Sequence, residues 1–174
     1  CAGIPVTHRG LANSLHIVTA HTKEGGIAAQ DYDALARLNG TLVFLMGATA
    51  IAEICSQLMS RGFAADTPMA AVERGTTARQ RALVGTLGDF ERKASDFGLR
   101  PPAVILVGAV AALASQFAWR QTLPLRDKKV LVTRPANRQG RLSRMLRDLG
   151  AEVVEFPCIA AVPLIGNLII SVLY

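Results

Sequence analysis

TLVFLMGATAIAEICSQLMSRG, residues 41–62, decides the fold class that this sequence predicts. Its first seven residues form a continuous apolar run of strand length, which is typical of a strand covered on both faces. Apolar side chains then recur at helical spacing, and Gly62 suits the C-terminal end of a helix. The apolar positions are Ile51, Ile54, Cys55, Leu58 and Met59. The stretch therefore predicts a strand at 41–47 followed by an amphipathic helix at 48–62.

The flanking sequence repeats this alternation of strand and helix, which predicts an α/β fold class. Strands are predicted at 14–21, 68–75, 81–87 and 103–108, and helices at 28–40 and 87–98. The uncharged run at 103–119 is shorter than the ~20 residues that a membrane span needs. We therefore predict a buried strand followed by a turn or a short helix there, and no membrane association.

A second pattern follows a short, proline-containing connection. A strand at 128–134, an amphipathic helix at 136–150 and a strand at 151–159 make a β-α-β unit. Such a unit is the usual opening of a doubly wound parallel sheet, and one unit alone cannot bury both of its faces. We therefore predict one domain at 1–120, a linker at 121–127 and an incomplete piece of another domain at 128–174.

The net charge of +6 is concentrated between residues 120 and 152. Such a segment suits nucleic acid, lipid headgroups or a polyanionic small molecule, and arginines on a solvated helix face explain it equally well. The sequence lacks the aromatic platforms that single-stranded nucleic acid requires, so no nucleic-acid partner is predicted. Cys1, Cys55 and Cys158 are widely spaced and indicate neither a disulfide framework nor a metal site. A reducing cytoplasm is the simplest setting.

Three clusters carry residue types that suit a binding site. They are Thr7-His8-Arg9, Leu45-Met46-Gly47 and Glu73-Arg74-Gly75-Thr76-Thr77. An arginine holds carboxylates, a methionine packs on flat heterocycles, and a glycine lets a ligand approach the backbone closely. Each cluster also has a plain structural explanation, namely a capping turn, a core methionine and a tight turn. Together, at strand ends of one sheet, they favour a flat ligand lying across those ends.

Longer stretches of the sequence resemble a known family. They are GIPVTHRGLANSLHIVTAH (3–21), TLVFLMGATAIAEICSQLMSRGFAADTPMAAVERGTTARQR (41–81) and LGDFERKASDFGLRPPAVILVG (87–108). In this order they are similar to the C-terminal half of the uroporphyrinogen-III C-methyltransferases, within the tetrapyrrole (corrin/porphyrin) methylase family. The resemblance covers about residues 2–119. LRDKKVLVTRPANRQGRLSRMLRDLGAEVVEFPCI, residues 125–159, resembles the opening β-α-β unit of uroporphyrinogen-III synthases.

The resemblance implies an S-adenosylmethionine-dependent enzyme that methylates uroporphyrinogen III, releases S-adenosylhomocysteine and works as a cytoplasmic homodimer without a metal. It also implies a methyltransferase fused to a synthase, of which this chain is an incomplete piece. The family's Gly-rich N-terminal loop and acid/base residues have no counterpart in the sequence, so no catalytic residue is assigned. A methylase acting on a later precorrin and a non-enzymatic basic interaction module are the alternatives.

The same resemblance implies roles for individual residues. Met46, Gly75, Ala103 and Val104 would bind the cofactor, with Met46 in the adenosyl pocket and Ala103 and Val104 close to the adenine. Thr7, His8 and Arg9 would face the tetrapyrrole. Ala20, Leu45 and Ala109 depart from the family pattern, which usually has Gly, Tyr and Glu at these places.

Overall fold

A computed structural model gives the fold of residues 2–20, 29–136, 140–163 and 168–172. The chain divides into two compact units, described separately below. The first comprises Cys1–Gly75 and Arg79–Trp119, and the second comprises Thr76–Ala78 and Arg120–Tyr174.

The first unit is built on a five-stranded sheet with the order β1-β2-β5-β3-β4. Its strands are β1 (Leu15–Thr19), β2 (Thr41–Leu45), β3 (Pro68–Glu73), β4 (Arg81–Thr86) and β5 (Ala103–Val107). The β1 and β2 strands are parallel, and the other three pairings are antiparallel. Because β5 runs against both of its neighbours, its first residue lies at the sheet edge where β2 and β3 end. We call this edge the site edge.

Among the described residues, the first unit also contains three α-helices and the 3-10 helix that follows β5. They are α1 (Ala29–Ala36), α2 (Ile51–Ser60), α3 (Phe90–Phe97) and the 3-10 helix Ala109–Ser115. The predicted strands and helices are therefore confirmed with shorter bounds, although His21 and Ala28, at the ends of two predicted elements, lie outside the described residues. Gly98 adopts the left-handed conformation directly after α3, which confirms the prediction that this helix ends at Gly98. Within the described residues, no helix combines the length and the apolar character that crossing a membrane requires.

The core of the first unit lies between the sheet and its helices. Leu42 and Phe44 of β2 are fully buried and Val43 is nearly so, which confirms the prediction of a strand covered on both faces. The Cys55 thiol lies in this core, with its Sγ donating to Sδ of Met69 at 3.7 Å. Burial, with a smaller contribution from the charge of Glu91, raises the pKa of Cys55 to about 11. Cys55 is therefore a packed, protonated side chain.

The second unit contains the predicted β-α-β unit. It consists of β6 (Lys129–Val132), α4 (Gly140–Asp148) and β7 (Glu152–Glu155), with β6 and β7 parallel. The prediction of one strand over 151–159 is wrong, because β7 ends before Pro157, which has no backbone N–H to donate. An unpredicted antiparallel hairpin follows, made of β8 (Ile159–Pro163) and β9 (Leu168–Val172). Residues 137–139, within the predicted helix at 136–150, lie outside the described residues.

The apolar stripe predicted on α4 is only partly covered. Met145 and Leu149 are exposed, while Leu142 and Leu146 are half-buried. Leu131 of β6 and Phe156 are also exposed. A single β-α-β unit leaves such a face uncovered because a two-stranded parallel sheet needs layers on both sides.

Candidate active site

The site edge of the sheet carries a pocket of about 360 Å³. Its lining residues are Met46, Ala48, Thr49, Pro101, Pro102 and Ala103. The pocket follows from the strand register, since Leu45 of β2 pairs with Val104 of β5 and the next residues outward are Met46 and Ala103. The structure thus brings together two residues that the sequence predicted for a cofactor site, with Val104 next to them.

Met46 is not a core residue. The residue is 57% exposed, so the explanation of Met46 as ordinary core packing is wrong. Its backbone has a φ of 55°, in the left-handed region that bulky residues rarely adopt. A Cβ at Gly47 would be crowded, since it would lie 3.1 Å from Cδ1 of Ile54 and 3.3 Å from Cγ1 of Ile105. Strained backbone that turns a side chain towards a pocket is a common feature of binding sites.

Gly75 lies at the same edge, just beyond the end of β3. Arg74 has a φ of 48°, and its backbone N–H donates to the carbonyl of Pro102 at 2.9 Å. A Cβ on Gly75 would have one neighbour among the described atoms, Cγ1 of Val72 at 3.4 Å, which is an ordinary contact. The described part of the chain therefore leaves open space beside Gly75.

The site edge also holds a buried carboxylate, that of Glu73 at the end of β3. Burial raises its pKa, but hydrogen bonds from the Arg81 side chain and the Arg100 backbone, together with the charges of Arg81 and Arg74, outweigh burial and hold the pKa below its ordinary value of 4.5. Glu73 belongs to one of the three clusters seen in the sequence, where no role was predicted for it. The available signal was an acidic residue at the end of an otherwise apolar strand.

Thr7, His8 and Arg9 lie away from this pocket. They are exposed and stand at the start of a tight turn in which His8 exchanges backbone hydrogen bonds with Ala12. The turn continues to Leu11, which lines a second pocket together with Gly40, just before β2, and Gly108, just after β5. These ends of β2 and β5 belong to the edge opposite the site edge. The expectation that all three clusters meet at one sheet edge is therefore wrong for this cluster.

The second pocket has a volume of about 440 Å³ and a polar lining. Arg61, on its rim, is engaged by the Asp33 carboxylate and by the side chain and carbonyl of Gln57. Ala109, one of the three departures from the family pattern, also lines this pocket. The residues proposed for the cofactor lie at the other edge of the sheet.

The two other departures lie at the site edge. Ala20 is buried, and its backbone N–H donates to the carbonyl of Leu45 at 2.8 Å, so it extends the pairing of β1 with β2. The Leu45 side chain is partly exposed there. Among the residues that the structure describes, no group of three His, Cys, Asp or Glu side chains is placed to hold a metal ion.

Residues 1–91 match the family described as Tetrapyrrole (Corrin/Porphyrin) Methylases. The Porphyrin biosynthesis protein HemD of Ruminiclostridium josui is 46% identical over 165 residues, which cover 95% of this chain and 33% of that protein. The Uroporphyrinogen-III C-methyltransferase of Bacillus subtilis is 36% identical over 157 residues, covering 90% of this chain and 32% of that protein. The chain thus spans about a third of the length of these relatives.

Solved structures show the same relationship. The uroporphyrin-III C-methyl transferase of Thermus thermophilus, complexed with S-adenyl homocysteine, superposes with a TM-score of 0.56 at 32% identity, covering 64% of this chain and 49% of that one. The cobalt precorrin-4 methyltransferase CbiF shares the fold with a TM-score of 0.57 at 20% identity, covering 63% of this chain and 46% of that one. On the match over residues 1–91, the chain belongs to the tetrapyrrole (corrin/porphyrin) methylase family.

Proposed function

We propose that the protein to which this chain belongs is a uroporphyrinogen-III C-methyltransferase that takes its methyl group from S-adenosylmethionine. The observation that carries the proposal is the pocket between Met46 and Ala103 at the site edge. Support also comes from the names of the relatives and from the S-adenyl homocysteine in the Thermus thermophilus structure. The proposal places the protein in the cytoplasm as a homodimer.

The pocket suits the adenosyl part of this cofactor. Its walls are mainly apolar and pair the Met46 side chain with Pro101, Pro102 and Ala103, which matches the flat faces of a purine. A thioether packs well against an aromatic ring, and Met46 presents one on an exposed side chain. Gly75, with open space beside its backbone, would allow the cofactor to approach the end of β3.

Methyl transfer requires orientation more than added chemical groups. When bound, the cofactor would supply a sulfonium methyl for a nucleophilic pyrrole carbon: the C–S bond breaks, a C–C bond forms, and the pyrrole nitrogen gives up its proton, because the methylated carbon carries none. The contribution of this chain is to hold the adenosyl end still, since fixing two reactants at attack distance removes much of the barrier. The base that accepts the proton is not assigned to any residue of this chain.

Thr7, His8 and Arg9 are proposed to bind the tetrapyrrole. Arg9 is exposed, and a guanidinium binds carboxylates in a bidentate manner, which suits the carboxylate-rich rim of such a substrate. Because the turn that holds Arg9 lies away from the pocket, this role is tested separately. Arg9→Ala should weaken binding of uroporphyrinogen III and leave the affinity for S-adenosylhomocysteine unchanged. A loss of both affinities would contradict separate roles.

The proposal includes a fusion of the methyltransferase to a uroporphyrinogen-III synthase. The parallel β6-α4-β7 unit and the stretch VLVTRP at 130–135 support this part. Under this proposal the chain is a piece of a longer protein and does not turn over substrate alone. The longer protein should both produce and methylate uroporphyrinogen III, and a longer protein that fails to methylate it would refute the proposed function.

Calorimetric titration with S-adenosylhomocysteine is the direct test on this chain. Binding by the chain, weakened in Met46→Ala, would support the pocket as the cofactor site. Met59→Ala is the matched control, since Met59 lies on α2 and packs against the core. Equal losses in both variants would show that the effect comes from general destabilisation, and the pocket assignment would then fail.

A further inference from the structure

Glu73 has a carboxylate that is buried and fully engaged beside the pocket. Glu73 is 2% exposed. Its Oε2 accepts a hydrogen bond from Nη2 of Arg81 at 2.6 Å and another from the backbone N–H of Arg100 at 3.1 Å. Its Oε1 lies 3.7 Å from Nε of Arg74. Glu73 does not line the pocket, so it has no contact through which to touch a ligand there.

Arg81 extends this network to the C-terminal end of α3. Its guanidinium donates to the carbonyls of Phe97 and Gly98, both at 3.3 Å, and lies 4.3 Å from the centroid of the Phe97 ring. The last carbonyls of a helix lack partners within the helix and carry partial negative charge. A cation at this place is therefore favourable, and the Glu73 carboxylate holds the cation there.

These contacts fix the segment Gly98–Pro102, which we call the proline strap. Near the start of the strap, the backbone N–H of Leu99 donates to the carbonyl of Ala94. At its end, the carbonyl of Pro102 accepts a hydrogen bond from the backbone N–H of Arg74. In the middle of the strap, the backbone N–H of Arg100 donates a hydrogen bond to the Glu73 carboxylate. Because Pro101 and Pro102 form one wall of the pocket, the position of the strap sets the width of the pocket.

A buried ion pair by itself is weak evidence for a contribution to stability, because well-packed apolar residues of similar size often stabilise a protein as much. An apolar residue, however, could not accept the Arg100 N–H. A carboxylate at position 73 is thus explained by the hydrogen bond with which it holds the Arg100 backbone in place.

We propose that Glu73 is a positioning residue, which through Arg81 and the Arg100 backbone holds the proline strap as the wall of the cofactor pocket. This inference rests on the proposed function. It extends that function by adding a residue that sets cofactor affinity without contacting the cofactor.

The test compares two substitutions at one position. Glu73→Gln keeps an oxygen acceptor for the Arg100 N–H, whereas Glu73→Leu has a similar size and no acceptor. Asp89→Asn is the matched control, because Asp89 forms an ion pair with Lys93 at 2.7 Å and accepts the Thr86 N–H at the other end of α3. Each variant is titrated calorimetrically with S-adenosylhomocysteine, and amide exchange is measured at Arg74, whose N–H reports the contact with Pro102.

We expect Glu73→Leu to weaken the binding of S-adenosylhomocysteine about tenfold, which is the effect expected for a lost hydrogen bond to a charged group. It should also speed exchange at Arg74. Glu73→Gln should stay within about threefold of the parent affinity, because a neutral hydrogen bond remains. Asp89→Asn should change neither quantity. Parent-like affinity in Glu73→Leu, or an equal loss in Asp89→Asn, would overturn the proposal.

The exchange measurement separates this proposal from the proposed function. If the parent chain does not bind S-adenosylhomocysteine, the proposed cofactor site is lost, and exchange alone decides the role of Glu73. Faster exchange at Arg74 in Glu73→Leu, and not in Asp89→Asn, supports positioning of the strap. Unchanged exchange overturns it.

Discussion

Leu45 and Val104 form the outermost register pair between β2 and β5, and this antiparallel pair places Met46 beside Ala103. The two walls of the pocket therefore come from segments far apart in the sequence. Backbone hydrogen bonds of the sheet hold Met46 beside Ala103, while the position of the proline strap sets the width of the pocket.

Met46→Gly should stabilise the protein while weakening cofactor binding. Glycine adopts the left-handed backbone of position 46 without a steric penalty, and the exposed methionine side chain loses little packing. The expected gain in the free energy of unfolding is about 1 kcal/mol. Loss of the thioether contact should weaken the binding of S-adenosylhomocysteine about fivefold. Urea denaturation and calorimetry measure the two quantities.

Asp127→Gly is the control for this prediction. Asp127 has a similar φ of 63° and lies in the second unit. Aspartate tolerates the left-handed region better than methionine, so the gain in stability should be smaller, and binding should not change. Destabilisation by Met46→Gly would refute the strain argument, and unchanged binding would remove Met46 from the site.

Gly75→Ala should weaken cofactor binding with little change in stability, whereas Gly47→Ala should lower stability. The added methyl at position 75 makes one ordinary contact with Val72, so the free energy of unfolding should change by less than about 0.5 kcal/mol. At position 47 it is crowded by Ile54 and Ile105, and a loss of about 1–3 kcal/mol is expected. Binding of S-adenosylhomocysteine should weaken in Gly75→Ala. If this variant binds as the parent does, the backbone at Gly75 is not part of the cofactor site.

The sequence predicted the elements of the first unit because their patterns are local. The apolar run of β2 and the helical spacing in α2 each reflect burial of one continuous segment. The reversed direction of β5 could not be predicted this way, since strand direction depends on which distant strand is paired. The end of β7 was predicted too late, because apolar residues continue to Ile159 while Pro157 interrupts the strand. The pairing of β8 with β9 was not predicted.

The site was predictable only where its residues stand at strand ends. Met46 met this condition, whereas Ala103 came only from the family resemblance, and the pairing of β2 with β5 places the two side by side. The position of the Arg9 turn was not predictable, since its place relative to the sheet depends on how the chain enters β1. The role of Glu73 was equally hidden, because its partners Arg81 and Arg100 approach it only in the folded sheet.

Glu73→Gln should lower stability by an amount that depends on pH. The parent Glu73 has a lowered pKa in the folded protein, because hydrogen bonds from Arg81 and Arg100 outweigh the burial that raises it. Its contribution is fully present above the pKa of the unfolded chain and is lost as the pH falls through the lower folded pKa. We expect a difference of about 2 kcal/mol at neutral pH. It should shrink below pH 4.5, the ordinary value for this carboxyl group. A difference that stays constant in urea denaturation from about pH 3 to 7 would contradict the assignment.

Gly150→Ala should destabilise the second unit more than Gly62→Ala destabilises the first unit. Gly150 has a φ of 98°, and a Cβ there would lie 2.9 Å from Cβ of Leu123 and 3.1 Å from the backbone N of Arg126. Gly62 has nearly the same φ, 97°, and a Cβ there meets no described atom within 4 Å. Gly62→Ala should therefore cost only the backbone term, about 1–2 kcal/mol.

The clash at position 150 should add about 1–3 kcal/mol to that backbone term, because the crowding atoms belong to main chain and to the root of a side chain, which cannot turn aside. Amide exchange measures the effect of each variant in its own unit, at β6 for Gly150→Ala and at β2 for Gly62→Ala. Equal losses in the two variants would show that the connection at 123–126 yields to the added methyl. The packing of Gly150 against that connection would then not be a constraint on the second unit.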